Sequence, residues 1–111
     1  MHFTVPPKFM DQVDGLIENN LSNEHFNVDS LSQSLSISSS QVYRKIKAAT
    51  GCSTSVYIRN YRLQQAKRIL EGSDMRISEV YVLVGFNCLS YFSRSFADFF
   101  GYAPSQLRTI H

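Results

Sequence analysis

The chain has 111 residues, a hydrophobic fraction of 43 % and a formal net charge of +2. Its length fits one domain, its apolar fraction excludes a disordered chain, and it lacks the run of about eighteen apolar residues that a membrane span needs. Residues 1–51 carry four basic and five acidic side chains and residues 52–111 carry seven and four, so a polyanion would be bound through placed contacts rather than bulk attraction.

Two helices are predicted after a short N-terminal linker. Residues 1–8 contain a Pro-Pro pair, which disfavours helix and predicts an extended segment. Apolar residues then recur at helical spacing and predict a first helix over residues 9–21. After a polar, turn-forming stretch, a short second helix is predicted from Val28, with Asn27 as its N-cap.

The stretch SSSQVYRKIKAATG, residues 38–51, carries the signals of a third helix. Ser38 and Gln41 have the spacing of a capping box, and Gly51 suits the left-handed geometry that ends a helix. One narrow sector of this helix is expected to face a core and contains Val42, Ile46 and Ala49. The opposite side contains Ser40, Arg44 and Lys47. Two short helices joined by so tight a turn, the second with a basic outer face, predict a helix-turn-helix.

A longer helix is predicted over about residues 55–70. Its apolar residues fall in two sectors, which indicates that a lobe clasps it on each side and that it acts as a rigid spacer of about 24 Å. Beyond it, Pro104 is expected in the first turn of a last short helix. We therefore divide the chain into a linker (1–8), an N-terminal helix with a first lobe (9–54), a connecting helix (55–71) and a second lobe (72–111).

The second half of the chain repeats the pattern of the first half at an offset of 49 to 50 residues. Ser40 corresponds to Ser90 and Arg44 to Arg94, while core positions correspond to core positions. This correspondence indicates an internal duplication and hence a second helix-turn-helix. Residues 76–84 are rich in valine, as a strand would be, but the duplication favours a helix there.

The outer face of the third helix has the residue types that a helix in a DNA major groove needs. Small residues permit close approach, an arginine can make paired hydrogen bonds to a base edge, and hydroxyl groups and lysines bind phosphates. In the first lobe the candidates are Ser39, Ser40, Gln41, Tyr43, Arg44 and Lys47. In the second lobe they are Asn87, Ser90, Tyr91, Ser93 and Arg94. We expect Arg44 to read a base and Lys47 to meet a phosphate.

Some of these residues also fit interpretations other than DNA binding. An isolated Arg-Lys pair on a helix is usually a solvated face, but two unrelated solvated faces need not share Ser-x-x-x-Arg at one helical phase. Tyr43 and Tyr91 fit a core edge as well as a recognition surface. The phenylalanines of the second lobe are expected in the core rather than on a stacking platform, and these are Phe92, Phe96, Phe99 and Phe100.

No pattern in the chain indicates catalysis or a cofactor. The histidines at positions 2, 25 and 111 show no ligand spacing with Cys52 or Cys88, so we expect no metal site. No nucleophile elbow, glycine-rich phosphate loop or paired carboxylate is present. We therefore expect no enzyme and no cofactor, and we expect both cysteines to be reduced thiols of a cytoplasmic protein.

Over about residues 24–108 the chain resembles the AraC/XylS-type DNA-binding domain. The segments that carry the resemblance are SSSQVYRKIKAATG, SVYIRNYRLQQAKRIL and ISEVYVLVGFNCLSYFSRSFADFFGYAPSQLR. The first two are most similar to the C-terminal output domains of hybrid two-component sensor-regulators. The segment PPKFMDQVDGLIENNLSNEHFNVDSLS is similar to the leader helix that these domains carry.

The resemblance implies an all-α fold of seven helices, with two homeodomain-like helix-turn-helix lobes joined by a long central helix. It implies sequence-specific binding of double-stranded DNA as the output domain of a bacterial transcription regulator, with two recognition helices in successive major-groove segments on one face. Ser40, Tyr43 and Arg44 match recognition positions in the first lobe, and Ser90, Tyr91 and Arg94 match them in the second. The family has no enzymatic activity in this domain.

Three departures from the family pattern affect the expected strength of each lobe. Tyr81 stands where a small alanine is usual, which predicts looser packing of the second lobe. Ala97 and Asp98 replace the usual Lys-Lys, which weakens phosphate anchoring there, and Ser39 stands where arginine is frequent. We expect the first lobe to contribute more affinity, and a single domain to bind loosely unless upstream domains form a dimer. The alternative function is a helical module that docks a partner such as RNA polymerase without reading DNA.

Overall fold

The computed structural model describes residues 7–110, with side chains for residues 8–107. This part of the chain folds into seven helices with no strand, as the all-α prediction required. The first six residues of the predicted linker lie outside the described residues. The helices are α1 (Pro7–Asn19), α2 (Val28–Leu35), α3 (Ser39–Thr50), α4 (Thr54–Gly72), α5 (Ile77–Leu83), α6 (Leu89–Phe100) and α7 (Pro104–Ile110).

Helix boundaries agree with the sequence pattern to within about two residues. Helix α1 begins at Pro7, two residues before the predicted start, and α4 extends one residue earlier and two residues later than predicted. The valine-rich segment that resembled a strand is helix α5. The described chain forms two compact units, the first made of residues up to 20 with residues 26–59, and the second of residues 21–25 with residues from 60 onward.

The first unit buries aliphatic side chains and a few aromatic ones among α1, α2, α3 and the start of α4. Its buried apolar residues are Phe9, Val13, Ile17, Phe26, Leu31, Val42, Ile46 and Ile58. The Lys45 ammonium lies 5.0 Å from the centre of the Phe9 ring, where the negative ring face attracts it. The Tyr57 hydroxyl donates a hydrogen bond to Asp14. Helix α1 is thereby attached to both α3 and α4.

Side-chain caps define the helix pair α2–α3. Asn27 before α2 and Ser38 before α3 each form a capping box, as the sequence predicted for Ser38. The turn between the helices places Ser36 at a φ of 58°, and α3 ends at Gly51 with a φ of 80°. Each capping bond satisfies a backbone N–H that the helix leaves without a partner. These local hydrogen bonds therefore add to the stability that the first pair gains from its buried aliphatic side chains.

The second unit is built on an aromatic cluster. Its buried apolar residues are Leu63, Ala66, Leu70, Val80, Val84, Phe86, Phe92, Phe96 and Leu107. The Phe92 ring lies 5.1 Å from that of Phe86 and 5.8 Å from that of Phe96. Such edge and tilted arrangements are the favoured geometries of aromatic pairs. Helices α5 and α6 therefore pack through large rings where α2 and α3 use aliphatic side chains.

A buried arginine ties the turn of the second pair to the segment before α2. The Arg62 guanidinium is 5 % exposed and donates to the carbonyl oxygens of Leu21, Asn23 and Val84. Burial lowers the pKa of Arg62 from its ordinary value. Gly85, with a φ of 89°, lies so close that a β-carbon there would overlap Arg62 and the Leu21 carbonyl oxygen.

The prediction that Ala49 and Phe99 face the core is wrong. Ala49 is exposed and Phe99 is 39 % exposed. Each is the last residue but one of its helix, α3 or α6, and in α6 it is the next residue, Phe100, that packs against the core. The two residues are 50 positions apart, so the duplication extends to this feature.

Tyr81 does not leave the second pair loosely packed. Its ring is partly buried against the aromatic cluster, 6.3 Å from the Phe92 ring. Val80, Val84 and Phe92 around it have no exposed surface. The bulk of the tyrosine is therefore accommodated at the edge of the core. Ser32, the small residue of the first pair, is 7 % exposed and donates to the Asp29 carbonyl.

Candidate nucleic-acid interface

Helices α3 and α6 each present one outward sector of five residues. At about 100° per residue, positions i, i+1, i+4, i+5 and i+8 fall within a sector of about 140°. Position i lies at the edge of this sector that borders the buried positions, which include Val42 and Ile46 in α3 and Phe92 and Phe96 in α6. We call these sectors the α3 face and the α6 face. The α3 face consists of Ser39, Ser40, Tyr43, Arg44 and Lys47. The α6 face consists of Leu89, Ser90, Ser93, Arg94 and Ala97.

An exposed arginine stands at the same place on both faces. Arg44 and Arg94 are exposed, and neither donates a hydrogen bond or forms an ion pair with another residue in the described part of the chain. A guanidinium group in this state keeps its five donors available for a planar acceptor such as a base edge. The serine four residues earlier, Ser40 or Ser90, is also exposed and leaves room for a ligand to approach.

Ten of the eleven candidate residues are exposed, and Ser93 is half-buried. Tyr43 is 46 % and Tyr91 is 42 % exposed, so part of each tyrosine is accessible to a ligand. Asn87 precedes α6 and lies in the turn that leads into it. The Tyr91 ring lies 5.8 Å from the buried Phe86 ring, which restricts its orientation.

Gln41 and Tyr91 occupy equivalent positions that lie outside the two faces. The Gln41 side-chain oxygen accepts hydrogen bonds from the backbone N–H of Ser38 at 3.1 Å and from its hydroxyl at 3.3 Å. Gln41 therefore has a capping function in this structure. Its interpretation as a base-reading residue remains a prediction, with only the amide nitrogen left for a ligand.

Two polar residues of the α3 face contact their own unit. The Ser39 hydroxyl lies 3.3 Å from that of Ser32 and donates to Asp29 at 3.4 Å, which orients it toward α2. The Lys47 ammonium donates to the Gly51 carbonyl at 2.9 Å, where a cation also interacts favourably with the helix C-terminus. An ammonium has three donors, so Lys47 can hold this carbonyl and a phosphate together.

A fully exposed thiol begins the second of these helices. Cys88 is the N-cap residue of α6 and makes no side-chain capping bond. Its sulfur lies 3.2 Å from the Ser90 hydroxyl. This hydroxyl lowers the pKa of the Cys88 thiol most, the backbone N–H groups of Tyr91 and Ser90 lower it further, and the positive charge of Arg94 contributes least. The thiol therefore stands beside two residues of the α6 face and is more acidic than an ordinary cysteine.

Leu89 belongs to the α6 face but is absent from the residues that the sequence predicted for it. It is the first residue of α6 and is 40 % exposed. The duplication marks its position, because Leu89 stands 50 positions after the candidate Ser39. Its apolar character, however, is typical of a core residue, and for that reason the sequence pattern alone does not place it on the surface.

Neither a metal-binding cluster nor a membrane-spanning helix is found among the described residues. They include no group of three histidine, cysteine or acidic side chains able to hold a metal ion. None of the helices seen in residues 7–110 has the length and apolar character needed to cross a membrane.

Two helix-turn-helix pairs with a serine and an arginine on each outward face define a DNA-binding class of domain. A family model described as "Helix-turn-helix domain" matches residues 31–110. The chain belongs to the AraC-type helix-turn-helix family of transcription-regulator DNA-binding domains.

Relatives of the chain include a histidine kinase and a transcriptional activator. Histidine kinase P4 of Formosa agariphila is 37 % identical over 82 % of the chain, and the transcriptional activator RhrA of Rhizobium meliloti is 33 % identical over 95 % of it. The chain spans 7 % and 34 % of the lengths of these two proteins. Both matches therefore concern one domain of a larger protein.

Among solved structures, the chain is similar to the DNA-binding domain of AdpA, a global transcriptional factor in complex with a target DNA. The TM-score is 0.82 at 25 % identity, with 96 % of this chain and 93 % of the other covered. The C-terminal domain of the two-component response regulator yesN from Fusobacterium nucleatum has a TM-score of 0.81 at 25 % identity, with coverage of 91 % and 98 %.

Proposed function

We propose that this domain binds double-stranded DNA sequence-specifically as the output domain of a bacterial transcription regulator that acts in the cytoplasm. In this proposal α3 and α6 each enter a segment of the major groove. Arg44 and Arg94 read base edges, and the serines at positions 40 and 90 permit the close approach of the helix. The proposal involves no catalysis and no cofactor.

The observation that carries the proposal is the repetition of one exposed arrangement on two helices. Ser40 and Arg44 on α3 correspond to Ser90 and Arg94 on α6, and all four side chains are exposed. An arginine with free donors beside a small residue is the usual requirement for paired hydrogen bonds to guanine. Likeness to a domain that was solved with its target DNA supports the same function.

The roles of Arg44 and Lys47 are distinguished by their response to sequence and to salt. We expect Arg44→Ala to lose roughly 1–3 kcal/mol of discrimination at one base pair. We expect Lys47→Ala to weaken binding to all sequences alike and to reduce the slope of log K against log salt by about one unit. Binding titrations of both variants over a range of salt concentrations measure these effects, and identical profiles for the two would refute the assigned roles.

The α6 face offers a matched control for the phosphate contact. Ala97 stands where the α3 face has Lys47, so Ala97→Lys adds the missing charge at the same helical phase. We expect this variant to bind all duplexes more tightly and to increase the salt slope by about one unit. A slope unchanged by both Lys47→Ala and Ala97→Lys would show that neither position meets a phosphate.

Docking of a protein partner is the second candidate function. Val82 is 51 % and Leu83 is 41 % exposed on neighbouring positions of α5, and the α6 face lacks a lysine. Such a surface suits a partner such as RNA polymerase, which would bind beside the DNA or in place of it. Mobility-shift assays with random duplex at low salt separate the two functions, because a pure docking module would bind no duplex at any ionic strength.

Dimerisation through upstream domains belongs to the same proposal. The basic residues of the two faces are only Arg44, Lys47 and Arg94, so the electrostatic part of the affinity of one isolated domain is small. The matched relatives are longer than the chain, and two-component proteins are among them. Linking two such domains would raise the affinity through effective concentration without a new contact.

A further inference from the structure

Leu89 is an apolar side chain in a place where the first helix pair has a hydroxyl group. It opens helix α6 and leaves 40 % of its surface exposed. It lies one turn before Ser93, at the edge of the α6 face that borders the buried Phe96. Ser90 follows it directly in the sequence, and Arg94 lies about 140° away in helical phase. A single exposed leucine is ordinary at a protein surface, so it is the place of Leu89 in the first turn of α6, and not its exposure alone, that bears on function.

Comparison with α3 isolates what is particular to the α6 face. Position i+1 is serine on both faces and position i+5 is arginine on both. The faces differ at the other three positions, where Ser39, Tyr43 and Lys47 correspond to Leu89, Ser93 and Ala97. Of these, Lys47 is assigned to phosphate, and Ser39 is turned toward Asp29 and Ser32. The first residue of the helix therefore contributes a different chemistry to each groove.

We propose that Leu89 is a specificity-determining residue that contacts the 5-methyl group of a thymine in the major groove. The inference rests on the proposed function, because it assumes that α6 enters that groove. Thymine is the base that presents an apolar group there, and apolar side chains recognise it by contact. The first turn of a recognition helix is also the part that reaches base edges in helix-turn-helix proteins.

This assignment predicts which bases occur in the half-site, the DNA segment that α6 binds. Arg94 prefers a guanine, whose O6 and N7 accept from a guanidinium group. Leu89 lies at the N-terminal end of the same face and excludes water from a neighbouring thymine methyl group. We expect the half-site bound by α6 to contain a thymine near the guanine, and the half-site bound by α3 to lack that preference because Ser39 supplies no apolar surface.

The test removes the methyl group from the DNA and the leucine from the protein. Selection from random duplexes first gives the sequence that the wild-type domain binds. Each thymine in it is then replaced by deoxyuridine, which lacks only the 5-methyl group. We expect one such replacement to weaken wild-type binding by about fourfold, the value for burial of one methyl-sized group. For Leu89→Ser, which gives α6 the residue that opens α3, the same replacement should have no effect.

Two further variants keep the test specific. Leu89→Met retains an apolar side chain and should keep the sensitivity to deoxyuridine. Val82→Ser removes an exposed aliphatic side chain of α5 in the same unit and should respond to every replacement as the wild type does. Circular dichroism of each variant establishes that the helices are intact, so that loss of sensitivity is attributed to the missing contact.

The inference is overturned if Leu89→Ser and the wild type respond alike to every deoxyuridine, or if no replacement affects the wild type. A Leu89→Ser variant that binds DNA normally but loses a protein partner would also overturn it, and would assign Leu89 to a docking surface. Failure of the wild-type domain to enrich any sequence is a separate result. It contradicts sequence-specific binding itself and not merely the role of Leu89.

Discussion

The two helix-turn-helix pairs share a chain pattern but are stabilised in different ways. In the pair α2–α3, both helices begin with a capping box, from Asn27 and Ser38. In the pair α5–α6, the N-cap residues Arg76 and Cys88 make no side-chain capping bond. The second pair instead packs through an aromatic cluster and has its turn held by Arg62.

The difference shows that the two copies of a duplicated helix pair keep the same buried and outward positions while the interactions that stabilise them differ. Local capping bonds stabilise α2 and α3 by about 1 kcal/mol each. Burial of large rings and of a hydrogen-bonded arginine gives α5 and α6 their stability through tertiary contacts instead. The exposed serine and arginine of each second helix are the features common to both pairs, which is expected if the outward faces carry the function.

The largest expected effect is on the core of the second pair. Phe92 and Val42 occupy equivalent positions 50 residues apart and both are fully buried. We expect Phe92→Ala to lower the free energy of unfolding by about 4 kcal/mol and Val42→Ala by about 2 kcal/mol. Chemical denaturation measures both values. Equal losses would show that the aromatic cluster is not what distinguishes the second pair.

The next effect concerns Gly85 in the turn of the second pair. Gly85→Ala would place a β-carbon against Arg62 and the Leu21 carbonyl oxygen in a left-handed conformation, and we expect a loss of about 3 kcal/mol. Gly51→Ala shares the left-handed conformation but meets open space, so its loss should be about 1 kcal/mol. Gly15→Ala, in an exposed helix position, should increase stability by up to about 1 kcal/mol. A different order of these three would contradict the role of Arg62.

A feature of the fold or the site can be predicted from the sequence when the residues that interact are close together in the sequence or stand at a fixed offset. The capping box of Ser38, the end of α3 at Gly51 and the duplication are encoded by neighbouring residues or by a fixed offset, so they are predictable. The burial of Arg62 is not, because its acceptors lie 22 to 41 positions away in the sequence. Arginine is usually exposed, and no local pattern marks this one.

The candidate site was only partly predictable for the same reason. Arg44 and Arg94 could be identified because helical phase and duplication agree on their direction. Gln41 fits both capping and base reading in the sequence, and its hydrogen bonds to Ser38 confirm the capping box that the spacing predicts. Leu89 has the composition of a core residue, and its exposure depends on where α6 begins relative to the aromatic cluster.

A smaller effect tests the difference in capping directly. Ser38→Ala removes the cap of α3, and we expect a loss of about 1 kcal/mol in the free energy of unfolding. Cys88→Ala, at the equivalent position of α6, should change stability by only a small part of that amount, since no capping bond is lost. Cys88→Ser should increase stability by supplying a cap. Equal losses in the two alanine variants would mean that the thiol caps α6 after all.

The smallest effect concerns the acidity of Cys88. Its pKa is lowered chiefly by the Ser90 hydroxyl, so its thiolate fraction at neutral pH is larger than that of an ordinary cysteine. Its alkylation should therefore have a midpoint at a lower pH than that of an ordinary cysteine. Ser90→Ala should move that midpoint upward. In a Cys52→Ser background, mass spectrometry after iodoacetamide treatment follows Cys88 alone. Saturating duplex should slow the reaction, whereas an unchanged rate would place Cys88 outside the DNA interface.

The claim that both α3 and α6 read bases is tested most directly by selecting bound sequences from random duplexes. The wild-type domain, Arg44→Ala and Arg94→Ala are selected in parallel under one salt concentration. The account predicts that the wild type enriches a defined sequence and that each variant loses its preference at a different group of base pairs. Enrichment of one unchanged sequence by all three proteins, or of no sequence by the wild type, would contradict it.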